Sequence, residues 1–161
     1  MTTTRRTLLT LLGGTTLAAV LPVTGRAETA PAALEVFVAP SCGCCHAWVE
    51  LARARGHAVA VETLTDPAAQ KAGFGVPAEL VSCHTVRAEG YVFEGHVPFA
   101  ALDAVLAMRP AIAGLAVPGM PMGSPGMGDD PAARFDVLAF GGEAGAGAVF
   151  YRAGTADPFA A

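Results

Sequence analysis

The chain is poor in positive charge and in long apolar segments, and both shortages exclude classes of function. After residues 1–27, 7 basic residues stand against 14 acidic ones, a net charge near −7. This balance argues against nucleic acid and anionic membrane surfaces as partners. The N-terminal apolar stretch, residues 8–23, spans about 16 residues and is interrupted by glycines, so it is shorter than the roughly 20 residues of a membrane-spanning helix. No internal repeat is visible.

The first 27 residues predict a secretory signal peptide. Arg5 and Arg6 precede the apolar stretch, and Gly25-Arg26-Ala27 follows it as a small-x-small cleavage site. Cleavage there leaves residues 28–161, the size of one domain, with no stable membrane association. A retained membrane anchor is the alternative. The paired arginines also resemble a twin-arginine signal, but ordinary signals can carry such a pair. Either export route predicts a periplasmic protein.

Alternating strand and helix patterns predict an α/β fold. Strands are predicted at residues 34–38, 58–64, 79–86 and 91–94, helices at 44–55, 66–75 and 98–108, and a C-terminal hairpin at 135–140 and 148–152. Gly56 is the predicted stop of the first helix, and Asp66 and Pro67 are the predicted cap and first residue of the second. Trp48 falls on the apolar face of the first helix and is interpreted as core. Residues 114–131 form a Gly/Pro/Met-rich loop. This element order, with cysteines where the first strand enters the first helix, predicts a thioredoxin-like single domain. Pro77 stands where such folds place a cis-proline, although the sequence does not encode the isomer.

Four cysteines, all after the predicted signal, carry the distinctive chemistry. Cys42, Cys44 and Cys45 lie within four residues, where a structural disulfide would close almost no loop. At a helix N-terminus the free N–H groups and the dipole favour thiolates, so we expect lowered pKa values for these thiols. Two-thiol redox chemistry needs only Cys42 and Cys45. A metal site would use Cys44 as a ligand as well, provided that Gly43 lets the backbone turn before the helix begins. Cys83 supplies a fourth sulfur from the third predicted strand.

The donor set predicts a soft metal. Four thiolates can bind copper(I) or form a tetrahedral zinc site, and the spacing alone does not decide between them. Three methionines in the 114–131 loop favour copper(I), because thioethers suit copper(I) and are poor ligands for zinc. The alternative is that these methionines pack the loop onto the core. Six further residues are weaker candidate ligands, and each of them can also be an ordinary surface or core residue. They are His84, His46, His96, Met120, Met122 and Met127.

Four motifs in order along the chain point to one family. They are Cys42-Gly43-Cys44-Cys45, Ser82-Cys83-His84-Thr85, Glu94-Gly95-His96-Val97-Pro98, and Gly114-Leu115-Ala116-Val117-Pro118-Gly119-Met120-Pro121. Together they resemble the CopG family of exported, predicted metal-binding proteins found with bacterial copper-resistance systems. The resemblance implies a thioredoxin-like fold and copper redox interconversion. It also implies that copper is bound by Cys42, Cys44, Cys45 and Cys83. Copper ions and other periplasmic copper-handling proteins are the predicted partners.

Three functions fit the sequence. The first is a periplasmic copper(I)-binding protein for copper resistance or homeostasis, with or without copper redox activity. The second is a thiol–disulfide oxidoreductase in which Cys42 is the nucleophile and Cys45 the resolving thiol. In the third, disulfides join the cysteines permanently and the domain is an interaction module. The first is favoured because it uses Cys44, Cys83 and the methionine loop together.

Overall fold

The computed structural model describes residues 31–154, which form a mixed α/β unit with three α-helices and one seven-stranded sheet. In chain order the elements are β1 Ala33–Val38, α1 Gly43–Ala54, β2 Ala58–Thr63, α2 Pro67–Gly73, β3 Thr85–Ala88, β4 Tyr91–Gly95, α3 Phe99–Met108, β5 Gly114–Val117, β6 Phe135–Phe140 and β7 Ala148–Ala153, with 3₁₀ turns at Ala78–Leu80 and Gly142–Ala144. The predicted signal peptide, residues 1–27, lies outside the described residues. Within residues 31–154, no helix is long and apolar enough to cross a membrane.

The sheet order is β2-β1-β3-β4-β5-β6-β7. β1 pairs with β2 and β4 pairs with β5 in parallel, whereas the other neighbours are antiparallel. Because β3 runs opposite to β1 and β4, the carboxyl ends of β1, β4 and β5 meet the amino end of β3 at one end of the sheet. Segments from all four sequence motifs therefore converge there. The predicted α/β class and the C-terminal hairpin of β6 and β7 are confirmed.

One face of the sheet is covered by α1 and α3. Trp48 of α1 is fully buried and stacks on Phe99 of α3 with ring centroids 4.8 Å apart. Its indole Nε1 donates a hydrogen bond to the Val97 carbonyl over 3.2 Å. The predicted core role of Trp48 is confirmed, and truncation to alanine would cost about 3–5 kcal/mol of stability. After α1, Gly56 takes a φ of +89°, the left-handed conformation that glycine provides at helix C-termini.

The opposite face carries α2. Asp66 caps this helix with its side chain, and Pro67 is the first helical residue, as predicted. The ring of Phe74, just after α2, lies 4.7 Å from the ring of Phe37 on β1. This packing places Lys71 of α2 against β3 and β4, where the side chain is only 3% exposed.

The strand predicted at 79–86 is shorter in the structure. After Pro77 the chain forms a 3₁₀ turn, and the Ser82 amide donates to the Glu94 side chain instead of to a neighbouring strand. Cys83 therefore precedes β3, which corrects the prediction that it lies on the strand. No peptide bond within residues 31–154 is cis, so the bond to Pro77 is trans. The thioredoxin-like assignment accordingly stays a prediction.

β5 occupies part of the segment predicted as a loop. All four of its residues are buried, so the strand lacks the alternation of apolar and polar residues that marks a half-buried strand. Gly114 allows a close approach between strands, because a Cβ there would lie 1.7 Å from the Val92 carbonyl oxygen. The Gly/Pro/Met-rich loop consequently starts at Pro118, after β5.

Candidate metal centre

The first turn of α1 carries three of the four cysteines. Cys42 is the N-cap residue, and the structure joins it to Cys45 in a disulfide with a Cα–Cα distance of 5.3 Å. Cys45 is buried, whereas Cys42 is partly exposed. Gly43 is the first helical residue and is not among the glycines with positive φ. The turn into the helix therefore does not use a left-handed glycine, which corrects the expectation for Gly43.

The four cysteines converge. Cys44 Sγ lies 3.5 Å from Cys42 Sγ, and Cys83 reaches the same place from the segment before β3. The four Sγ atoms all lie within 4.8 Å of one another. Cys44 and Cys83 are free thiols, so the structure does not show disulfides pairing all four cysteines.

Cys83 is partly buried, and two histidine rings flank its sulfur. Its sulfur lies 3.0 Å from His96 Nε2 and 3.3 Å from His84 Nδ1. Burial, and secondarily the neighbouring Cys44, raises the pKa of the Cys83 thiol to about 12. In the metal-free protein this thiol is therefore protonated at neutral pH, and a metal bound by it must displace that proton.

His96 has the hydrogen bonding of a metal-ligating histidine. Its Nδ1 lies 2.7 Å from the Pro125 carbonyl oxygen, which can only accept, so Nδ1 carries the proton. Burial lowers the pKa of His96, which favours the neutral ring, and the Nε2 lone pair then faces Cys83 Sγ. Histidine ligands in metalloproteins usually donate their second ring nitrogen to a carbonyl or carboxylate in this way. The donors present therefore fit a metal.

His84 completes a second group of donors. With Cys83 and His96 it forms a cluster whose ligand atoms also lie within 4.8 Å of one another, so Cys83 belongs to both groups. The ring is fully buried, and its Nε2 has no hydrogen-bond partner in the described part of the chain. Burial, together with His96 and Lys71, holds the pKa of His84 well below its usual value. A buried, neutral imidazole whose Nδ1 lies 3.3 Å from the Cys83 sulfur is available as a ligand.

The loop after β5 packs over this centre. The Ser82 hydroxyl donates to the Gly119 carbonyl over 2.7 Å, and the Pro125 carbonyl holds His96. Gly126 lies so close to the first turns of α1 that a Cβ would come within 2.8 Å of the Cys44 carbonyl oxygen. The remaining candidates lie farther toward solvent: Met120 is 53% and Met122 57% exposed, Met127 is partly buried, and His46 is exposed.

Two charged residues behind the centre were not predicted from the sequence. Lys71 and Glu94 form a fully buried ion pair, and Ser82 and Thr85 also donate to the Glu94 carboxylate. Burial raises the pKa of Glu94, while the Lys71 ammonium and these donors oppose the rise. In the sequence, Glu94 opens one of the four family motifs and stands in an otherwise apolar strand, where a charge needs a partner.

Fold and donors together define an α/β protein with a cysteine cluster capable of binding a metal. Residues 80–127 match a family model described as a protein of unknown function, DUF411. Two solved structures titled "Copper resistance protein copG", forms 1 and 2, are each 36% identical to this chain, with TM-scores of 0.69 and 0.67. Each alignment covers 76% of this chain and 97% or 98% of the other. No curated protein sequence matches significantly. The chain belongs to the CopG family.

Proposed function

We propose that this protein binds copper(I) in the periplasm and serves copper resistance or homeostasis. The observation that carries the proposal is the convergence of four sulfur atoms within 4.8 Å of one another. Cys42, Cys44, Cys45 and Cys83 would be the principal ligands once the Cys42–Cys45 disulfide is reduced. His96 is the best placed of the weaker candidates. Export rests on the predicted signal peptide, and copper is favoured by the similarity of the chain to copper resistance proteins.

Copper(I) fits the donors better than zinc does. The two overlapping groups offer four thiols and two imidazoles, six donors in all, whereas a structural zinc site uses four. Thiolate sulfur binds both ions, so the thiols alone do not decide between them. The neighbouring loop adds thioethers at Met120, Met122 and Met127, which suit copper(I) on a path between solvent and the centre.

The protein's own residues would control entry and proton release. The Cys83 thiol gives up its proton when copper(I) binds, and His96, kept neutral by burial, offers Nε2 to accept that proton or to bind the ion. Exposed Met120 and Met122 would meet copper(I) first, and the loop that carries them contacts both His96 and α1. Binding should therefore release protons, as thiolate sites do generally.

Anaerobic titration of the reduced protein with copper(I), in competition with a chromophoric chelator, tests the proposal. We expect chelator-competitive binding in the wild type and in Ser41→Ala, an exposed neighbour of the cluster. We expect it to be lost or strongly weakened in Cys44→Ser. If the reduced wild-type protein cannot compete with the chelator for copper(I), or if zinc displaces copper(I) stoichiometrically, the proposal is wrong.

The Cys42–Cys45 disulfide also favours a second function, thiol–disulfide exchange. In this reaction a substrate thiolate attacks the partly exposed Cys42 sulfur, and Cys45 leaves as a thiolate. A second substrate thiol then displaces Cys42, so the substrate is oxidised to a disulfide and the protein is left with two thiols. Cys44 would interfere, because its sulfur lies 3.5 Å from Cys42. Catalysed refolding of a reduced substrate that continues in Cys44→Ser would favour this function over copper binding.

A further inference from the structure

A buried ion pair lies directly behind the candidate metal centre. Lys71 Nζ lies 2.5 Å from a carboxylate oxygen of Glu94, and the two side chains are 3% and 0% exposed. Removing two charges from water is costly, and buried ion pairs often contribute no net stability relative to well-packed apolar residues. Stability alone is therefore a weak explanation for the pair.

The carboxylate of Glu94 holds both ends of the tetrapeptide that contains Cys83. Its Oε1 accepts from the Ser82 amide over 2.7 Å as well as from Lys71. Its Oε2 accepts from the Thr85 hydroxyl over 2.6 Å, and Lys71 also donates to that hydroxyl over 3.0 Å. All of these groups are satisfied by one another, and Cys83 lies between the two held residues.

The segment held in this way has no regular secondary structure of its own. The chain between the 3₁₀ turn at Ala78–Leu80 and β3 lies outside the strands, and β3 begins only at Thr85. Its one backbone bond to β4 is at its end, where the His84 carbonyl accepts from the Gly95 amide over 2.7 Å. Glu94 precedes His96 by two residues at the end of β4. The carboxylate therefore sets the position of Cys83 relative to His96 through only a few covalent bonds on either side.

We propose that the Lys71–Glu94 pair is a positioning device that holds residues 82–85 so that Cys83 Sγ stays within reach of both the cluster sulfurs and His96 Nε2. Lys71 and Glu94 touch none of the reacting sulfur atoms in this scheme. Their positioning effect passes through the backbone of Ser82 and the side chain of Thr85, and the Lys71 ammonium in addition acts electrostatically on Cys83 and His84. The role of Cys83 as a copper ligand rests on the proposed function above, whereas its placement by the ion pair does not.

The first test needs no copper. In the metal-free, disulfide-intact protein, the rates at which iodoacetamide alkylates Cys83 and Cys44 are measured by peptide mass spectrometry. The double variant Lys71→Met/Glu94→Gln removes both charges without leaving one buried alone. We expect the Cys83-to-Cys44 rate ratio to rise by roughly tenfold or more, because a released Cys83 side chain becomes accessible to the reagent. The matched control is Glu35→Gln, which breaks an exposed pair with Arg87 on the same sheet and should leave the ratio unchanged.

The second test measures copper(I) affinity of the reduced variants by chelator competition. Loss of a partner that orients a metal ligand typically costs about 10- to 100-fold in affinity, and we expect a loss in this range. If the double variant is less stable but keeps the wild-type rate ratio and affinity at a temperature where it is folded, the pair is only structural and the proposal falls. If the rate ratio changes while wild-type protein binds no copper(I), the positioning role stands and the proposed function fails.

A milder variant keeps the proposal testable if the double variant does not fold. Thr85→Val removes one donor to the carboxylate while retaining side-chain shape and both charges. We expect a smaller rise in the Cys83-to-Cys44 rate ratio, about two- to fivefold on the scale of one lost hydrogen bond. A folded Thr85→Val protein with the wild-type ratio and wild-type copper(I) affinity would overturn the proposal.

Discussion

The two halves of the candidate metal centre are built in different ways. The helix half, Cys42, Cys44 and Cys45, lies within four residues at the start of α1 and is positioned by local backbone geometry. The strand half, Cys83, His84 and His96, is assembled from the segments flanking β3 and β4 and is more deeply buried. A helix terminus therefore supplies its sulfurs through local backbone geometry, whereas the strand half needs buried charges and long-range hydrogen bonds to hold its donors.

The largest expected difference concerns protonation. Since the pKa of Cys83 is about 12 against an ordinary 9.0, its thiolate fraction near neutral pH should be roughly 1000-fold lower than that of an ordinary thiol, a factor of ten for each pKa unit. Because the raised pKa favours the neutral thiol, alkylation of Cys83 in the disulfide-intact protein should keep accelerating beyond about pH 10. A pH–rate profile obtained by peptide mass spectrometry checks this. A profile that levels off near pH 9, as expected for the protein unfolded in urea, would contradict it.

Removing the shared donor should weaken copper(I) binding more than any other single change. Cys83 belongs to both donor groups, so we expect Cys83→Ser to lower affinity by more than the roughly 100-fold that loss of an outer partner can cost. Chelator competition with the reduced protein measures the effect, and thermal unfolding verifies that the variant is folded. Ser41→Ala, at an exposed position beside the cluster, is the control. If Cys83→Ser lowers copper(I) affinity no more than Cys44→Ser does, the shared donor does not contribute more than a donor of the helix half.

Substitutions of the histidines near the cysteines should affect copper(I) affinity differently in the two halves of the centre. His96→Gln removes the imidazole that faces Cys83, and we expect copper(I) affinity to fall by about 10- to 100-fold. His46→Gln alters an exposed residue of α1 and should leave affinity unchanged. The same competition titration compares the two variants. Equal losses of copper(I) affinity in the two variants, or no loss in His96→Gln, would show that His96 is not a ligand.

The smallest effects concern two glycines that contact the helix half differently. Gly126 has a φ of +87°, and a Cβ there would lie 2.8 Å from the Cys44 carbonyl oxygen and 2.9 Å from the Trp48 amide nitrogen. We expect Gly126→Ala to cost about 1–3 kcal/mol of unfolding free energy. Gly43 has open space around it, so Gly43→Ala should be neutral or stabilising by up to about 1 kcal/mol. Urea denaturation of the disulfide-intact protein compares them, and a destabilising Gly43→Ala would indicate a backbone need that the structure does not show.

Local patterns predicted the elements that depend on local interactions. The cap at Asp66, the stop at Gly56 and the hairpin of β6 and β7 all follow from residue types within a few positions of each other. β5 was missed because four buried residues beside glycine and proline carry no periodicity. The strand predicted at 79–86 was too long because a distant carboxylate, Glu94, competes for the Ser82 amide.

The order of amino acids is enough to tell which donors the protein offers, that three of them share a helix start, and which family the four motifs resemble. Tertiary contacts are needed to see that Cys83 belongs to both donor groups, which ring nitrogen of His96 is free, and that Lys71 and Glu94 lie behind them. The physical reason is that these relations depend on strand pairing and burial between residues far apart in the chain. Local residue preferences do not indicate which nitrogen of a buried imidazole carries the proton, or which residue pairs with a buried charge.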